Sequence, residues 1–248
     1  PTTADQIDLG VEWYFFEGSV LSIGYFYKKL DQVIGQENTG SICNPIAVGV
    51  SNPGSCPLGG AFVNEVSWVN LPGGEIQGVE IAFQHKFNYL PAPLHGFGVL
   101  ANYAYQKGDR DSDYRVPAPF VAAGAEAFIP LNFRRLSEHS YNATLYWERP
   151  RYRFSGRIRY TWRSGFLVSE SSDVSNLQPL YRDDRGQLNG SIGLRLTEYG
   201  APVSAKLPVS AVNLLKERGV ERGAFEEGPV VRVSDSDRRF SIGIRGRY

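Results

Sequence analysis

The 248 residues include 42% apolar side chains, enough for a sizeable core, and Lys plus Arg balance Asp plus Glu at 26 each, which leaves no global field to draw in nucleic acid. Mean hydropathy is -0.28, and no window approaches the ~18 consecutive apolar residues of a spanning helix, which excludes a helical membrane protein. Aromatic residues at 13% and 27 glycines favour strands, tight turns and bulges over long helices.

The first predicted element is a strand in which Ile7, Leu9, Val11, Trp13 and Phe15 alternate with Asp8, Gly10, Glu12 and Tyr14. A short turn at Glu17, Gly18 and Ser19 leads into a second strand with Leu21, Ile23, Tyr25 and Tyr27 on one face, so the pair reads as a hairpin. The polar stretch from about Ile34 to Glu75 reads as a long loop. It holds both cysteines, Cys43 and Cys56, in a run rich in Asn, Gly and Pro, where a disulfide closing a surface loop is the natural reading and implies an oxidising compartment. A free-thiol or metal reading is poorer, since no His lies near in sequence.

Alternation resumes with Val79, Ile81, Phe83 and Phe87, then Phe97, Val99, Ala101, Tyr103 and Tyr105, then Tyr141, Ala143, Leu145 and Trp147. The next strand is the clearest: Phe154, Ile158, Tyr160 and Trp162 share one face, and Arg153, Ser155, Arg157, Arg159, Thr161 and Arg163 the other. Leu188, Ile192, Leu194 and Leu196 mark a further strand, Leu207, Val209 and Ala211 another, and Phe240, Ile242, Ile244 and Tyr248 the last, for about nine in all. Pro208 falls inside a predicted strand, where a bulge or register break is expected because proline removes a ladder donor.

Connections are short at Glu17 to Ser19, Asn88 to His95, Arg149 to Arg151 and Glu198 to Pro202, and long in between. Short turns on one rim and long loops on the other, with Trp13, Tyr105, Trp147 and Trp162 near strand ends, predict an antiparallel outer-membrane β-barrel with aromatic girdles. A soluble sandwich explains the alternation but not the lopsided loops. An odd strand count cannot close a bacterial barrel, whose open edges would expose unpaired backbone groups in lipid. Together with the lack of methionine and of a leader sequence, this predicts that the chain is one portion of a larger barrel.

The stretches PTTADQIDLGVEWYF, GYFYKKLDQVI, EIQGVEIAFQHKFNYLPAPLHGFGVLANYAY, LSEHSYNATLYWE and AVNLLKER with the ending RRFSIGIRGRY resemble the C-terminal barrel of TonB-dependent receptors over nearly the whole chain. The likeness looks closest to the large Xanthomonas and Caulobacter type, many of which serve saccharide uptake. The resemblance implies a 22-stranded barrel around an N-terminal plug, with residues 1–248 supplying about the last nine strands and the plug and energy-coupling box lying outside them. It also implies that the loop from Cys43 to Cys56 is extracellular, and that Phe240, Ile242, Ile244 and Tyr248 form the C-terminal signal read by the barrel-assembly machinery. The implied partners are outer-membrane lipid, the TonB complex acting through the plug, and a small-molecule solute, either saccharide or siderophore. A passive porin-like barrel is the runner-up.

Candidate solute contacts are Arg157, Arg159 and Arg163, whose guanidinium forks suit carboxylate or hydroxyl groups, although pairing with Glu148 or Glu198 explains them as well. Trp68, Tyr114 and Tyr181, with Phe120 and Phe128, could stack on a ligand from the loops or simply pack there. Ser137, His139 and Ser140 form the only cluster suggestive of a hydrolase, and without an orienting carboxylate no catalytic residue is assigned. His85 and His95 read as strand-end and turn residues. Gly59 with Gly60 and Gly73 with Gly74 read as loop glycines with no helix behind them to bind phosphate, and no cofactor or metal is expected.

Overall fold

The computed structural model describes residues 2–44, 61–92, 94–110, 113–115, 128–149, 153–169, 179–198 and 204–247. The described residues contain no helix. In chain order the strands are β1 (Ala4–Phe16), β2 (Ser19–Asn44), β3 (Ala61–Lys86), β4 (Phe97–Arg110), β5 (Asp113–Arg115), β6 (Phe128–Pro130), β7 (His139–Trp147) and β8 (Phe154–Arg163). They continue as β9 (Phe166–Ser169), β10 (Leu180–Arg182), β11 (Arg185–Arg195), β12 (Ser204–Val212), β13 (Arg218–Gly223), β14 (Val230–Asp235), β15 (Arg239–Ile242) and β16 (Arg245–Arg247). The main sheet runs β1-β2-β3-β4-β7-β8-β11-β12-β15, with β16 also on β12. Every pair in it is antiparallel, as sequential hairpins require.

Register carries the alternation of each strand across the sheet. Val11, Ile23, Ile81, Tyr103, Tyr141 and Trp162 stand opposite one another in a row. Phe97, Trp147, Gly156, Ile192, Val209 and Ile242 form another row on the same face. The opposite face holds rows such as Ser22, Ala82, Asn102, Asn142, Thr161 and Gln187. The apolar face is uncovered by protein: Val11 is 72% exposed and Ile158 44%. An apolar surface that runs across every strand of a sheet is insoluble in water and matches a bilayer.

Aromatic side chains ring both ends of this face. At the short-turn end, Phe15 stacks on Phe83 at 6.0 Å, His85 meets Phe87 edge-on at 4.6 Å, and Trp147 packs on Phe154. At the far end Tyr141 stacks on Trp162 at 5.2 Å and Tyr105 leans on His139 at 5.0 Å. On β4, Phe97 and Tyr105 are eight residues apart, or ~27 Å along an extended chain. At a tilt of ~40° that length spans ~20 Å along the membrane normal, most of the ~25 Å apolar band of an outer membrane.

Three sequence expectations are corrected. The stretch from Ile34 to Glu75 is not a loop over most of its length: β2 and β3 each run 26 residues and pair from Val20 with Gln84 out to Asn44 with Ala61. A hairpin that stands clear of the membrane needs no apolar face, because its ladder alone satisfies the backbone, so periodicity gives no sign of it. Gly73 and Gly74 therefore lie within β3 rather than in a loop. Pro208 causes neither bulge nor register shift. It pairs with Gly193 in an unbroken β11–β12 register, and β15 and β16 keep a common register on β12 either side of it. The proline carbonyl still accepts the Gly243 amide at 3.0 Å, and only the missing proline N–H interrupts the last strand. Cys56 lies outside the described residues, as does the Cys43 side chain, and Tyr248 likewise.

A second sheet, ordered β14-β13-β10-β9, continues the C-terminal hairpins beyond the far rim. Its strands have short, weakly alternating sequences, which is why the sequence pattern does not reveal them. Side chains fix it instead. Glu221, with a side chain 4% exposed, is held by Arg182 and lies 3.2 Å from Arg232, while Arg222 donates to Asp183 at 2.7 Å. The hydrogen bond that Arg222 donates to Asp183 holds its guanidinium above its ordinary pKa. At the joint with the main sheet sits Asn213, 1% exposed and in the left-handed region at φ 58°. Its amide accepts from the Glu217 N–H at 2.9 Å and donates to the carbonyls of Glu217 and Ser236.

Candidate functional site

The polar face of β3, β4, β7 and β8 carries the site. Strand pairing sets Arg159 opposite Thr144, Asn142 opposite both Asn102 and Thr161, and Arg157 opposite Tyr146. The Asn102 side-chain amide donates to the Asn142 side-chain oxygen, Oδ1, at 3.4 Å. Small residues leave room here: with Ala82 and Thr144 in the wall, a depression of about 420 Å³ opens between Gln84, Asn102, Asn142, Arg157 and Arg159. Both guanidiniums are exposed to it. Among the described residues neither makes an ion pair, so the expected pairing with Glu148 or Glu198 does not form. Amides, a hydroxyl and two fixed cations are a donor set for oxygen-rich groups, and the guanidiniums add a preference for carboxylate or sulfate.

Arg163 is engaged elsewhere. Its Nε donates to the Ser137 hydroxyl at 2.8 Å, its Nη2 donates to the Arg135 carbonyl at 2.9 Å, and its guanidinium lies 4.1 Å from the Phe166 ring centre. These bonds anchor the segment from Leu131 to Ser137, which folds over the polar face at the far rim. Leu131 and Phe133 are buried there. Phe133 reaches the backbone only because Gly74, at φ +153°, and Gly108 offer no side chain: a Cβ on either would come within 3.1 Å of the ring. The sequence gives one sign of this roof, the apolar residues Leu131, Phe133 and Leu136 of LNFRRL.

The other predicted residues fall into separate places. Trp68 stands on the projecting β2–β3 hairpin, 69% exposed and across from Gln36. Tyr181 is covered, 7% exposed, in a small core with Leu167 and Leu180, and burial pushes its phenol up to about 12. Tyr114 pairs with Ile129 in the β5–β6 ladder, and its side chain, with that of Phe128 and the whole of Phe120, lies outside the described residues. Ser137 and His139 do not share a face as expected, since β7 begins only at His139. The Ser137 hydroxyl donates to the Ser164 carbonyl at 2.8 Å, whereas the His139 ring meets the Tyr103 hydroxyl at 2.8 Å on the apolar side. His85 closes β3 within the aromatic girdle, and the His95 amide donates to the Pro91 carbonyl in the turn.

A sheet with one lipid-matched face, one polar face, short turns at one rim and elaborate structure at the other is the wall of an antiparallel outer-membrane β-barrel. Residues 1–212 match the family described as TonB dependent receptor-like, beta-barrel, and the chain belongs to that family. The family implies the outer membrane of a Gram-negative cell. A search of curated proteins finds no match. Among solved structures, the chain is similar to a mutant of the ferric enterobactin receptor from Pseudomonas aeruginosa, with a TM-score of 0.52 and 16% identity over 98% of this chain and 31% of that one. That likeness is one of fold, and the chain spans under a third of that receptor's length.

Proposed function

We propose that this chain forms about nine C-terminal strands of a larger receptor barrel whose polar face lines the lumen, and that the receptor takes up a scarce, hydroxyl-rich solute by TonB-dependent active transport. The observation that carries this reading is the depression on the polar face, where Gln84, Asn102, Asn142 and two guanidiniums, neither ion-paired among the described residues, converge behind a lipid-matched outer surface. In this reading the energy-coupling box belongs to a plug region outside these residues, and the strand ending in Phe240, Ile242, Ile244 and Tyr248 is the segment read by the barrel-assembly machinery. Neutral amides favour a saccharide over a metal chelate, because side-chain amides match sugar hydroxyls as both donor and acceptor.

The test is uptake by cells carrying the full-length parent receptor, with and without a functional TonB complex. Active transport predicts accumulation against a gradient that is lost without TonB. A passive porin predicts equal flux in both strains and would overturn the proposal. A response to iron limitation rather than to sugars would replace saccharide by siderophore.

A further inference from the structure

Charge is segregated within the wall although the chain as a whole is neutral. β7, β8, β11, β12, β15 and β16 contain no Asp or Glu at all. Their polar face carries Arg157 and Arg159 at mid-strand, and register places Arg195 opposite Lys206 and Lys206 opposite Arg245 at the short-turn rim. The Arg195 amide also bonds the Arg153 carbonyl, which extends the row by one strand. Like charges directly opposite in a sheet repel, so such a row persists only where anions offset it. Glu148 lines a recess beside Arg153, Arg195 and Lys206 and a second one beside Arg157, but no carboxylate lines the depression that Arg157 shares with Arg159.

From this segregation we propose that the solute is anionic: a hydroxyl-rich chain bearing carboxylate or sulfate groups, gripped by Arg157 and Arg159 while its hydroxyls meet Gln84, Asn102 and Asn142. The proposal rests on the lumen assignment of the polar face and deepens it. The two arginines lie two positions apart on one face of β8, hence ~7 Å between their Cα atoms, a spacing suited to one acid group held from both sides. A narrow aqueous channel with one sign of charge on a low-dielectric wall concentrates counter-ions, so the whole C-terminal wall favours entry of the same solutes.

The experiment uses the purified full-length parent receptor in detergent, with a galacturonate hexamer as the anionic probe and maltohexaose as its neutral counterpart. The expected result is binding of the hexauronate at least tenfold tighter than of maltohexaose, weakened by salt. The double variant Arg157→Gln with Arg159→Gln should lose that tenfold preference, and Arg157→Lys with Arg159→Lys should recover part of it. Equal affinity for the two probes, no binding of the hexauronate, or a preference unchanged in the Gln variant would overturn the proposal. A Gln variant that loses thermal stability in the absence of any hexauronate binding would assign the arginines to an acidic polypeptide segment in the lumen, which also overturns it. TonB-independent uptake alongside an intact anionic preference would instead sink the transport reading and leave this one standing.

Discussion

β2 and β3 run unbroken for 26 residues each, whereas β8, β11, β12 and β15 stop at the far rim and their chains resume as β9, β10, β13 and β14. The two regions also differ in charge: β1 to β3 mix Asp8, Glu12 and Glu80 with Lys28 and Lys86, and the main-sheet strands from β7 onward carry bases without Asp or Glu. The difference separates two ways of building outside a membrane. A long hairpin extends by backbone ladder alone and asks little of its side chains. A sheet that bends at the rim breaks its ladder there, and buried polar groups must hold the joint and the sheet beyond it.

The largest effect expected is at Glu221. Glu221→Ala leaves Arg182 and Arg232 facing each other without the carboxylate, which should cost the outer sheet about 3–5 kcal/mol. Native-state hydrogen exchange of β13 and β14 would read it, against Ile34→Ala on the long hairpin, which should change little because Ile34 is 56% exposed. Equal effects would remove the contrast between the regions. Next in size, Ile158→Lys should destabilise the barrel by about 2–4 kcal/mol in urea unfolding from vesicles, and its neighbour Arg159→Gln by well under ~1.

Smaller again is Asn213→Ala, which strips the joint of its bonds to Glu217 and Ser236 at about 1–3 kcal/mol and should loosen β13 without altering β12. The Tyr181 phenol, raised by burial, makes the outer sheet sensitive to alkali. Its neutral form is the one the fold favours, so stability is constant below pH 10 and falls as pH rises toward about 12. Tyr181→Phe should lack that fall, which protease sensitivity across the range would record. The smallest change is Pro208→Ala, whose new N–H faces the Gly243 carbonyl and should slow exchange at the last strand by about 1 kcal/mol.

The membrane part of this fold was legible in the sequence because lipid forces period-two alternation: Phe154 to Trp162 and Phe240 to Ile244 announce their faces directly. Beyond the rim that pressure vanishes. The extended β2–β3 hairpin lacks apolar alternation, and the outer sheet depends on Glu221 and Asn213, whose partners are distant in sequence. The arginines of β8 were visible as a row, but which of them were free was not. Arg163 is taken up by Ser137 and Arg135 through a fold of the chain that no local pattern announces, while Arg157 and Arg159 stay open to the depression.

A lumenal depression requires that the Arg159 face of β8 meet water and the Ile158 face meet lipid. In the full-length parent, with Cys43 and Cys56 replaced by Ser, single variants Ile158→Cys and Arg159→Cys would be exposed in outer-membrane vesicles to a small water-soluble maleimide. Rapid labelling is expected at position 159, with protection at 158 that detergent-soluble reagents relieve; equal labelling at both positions would contradict the lumenal assignment of the polar face.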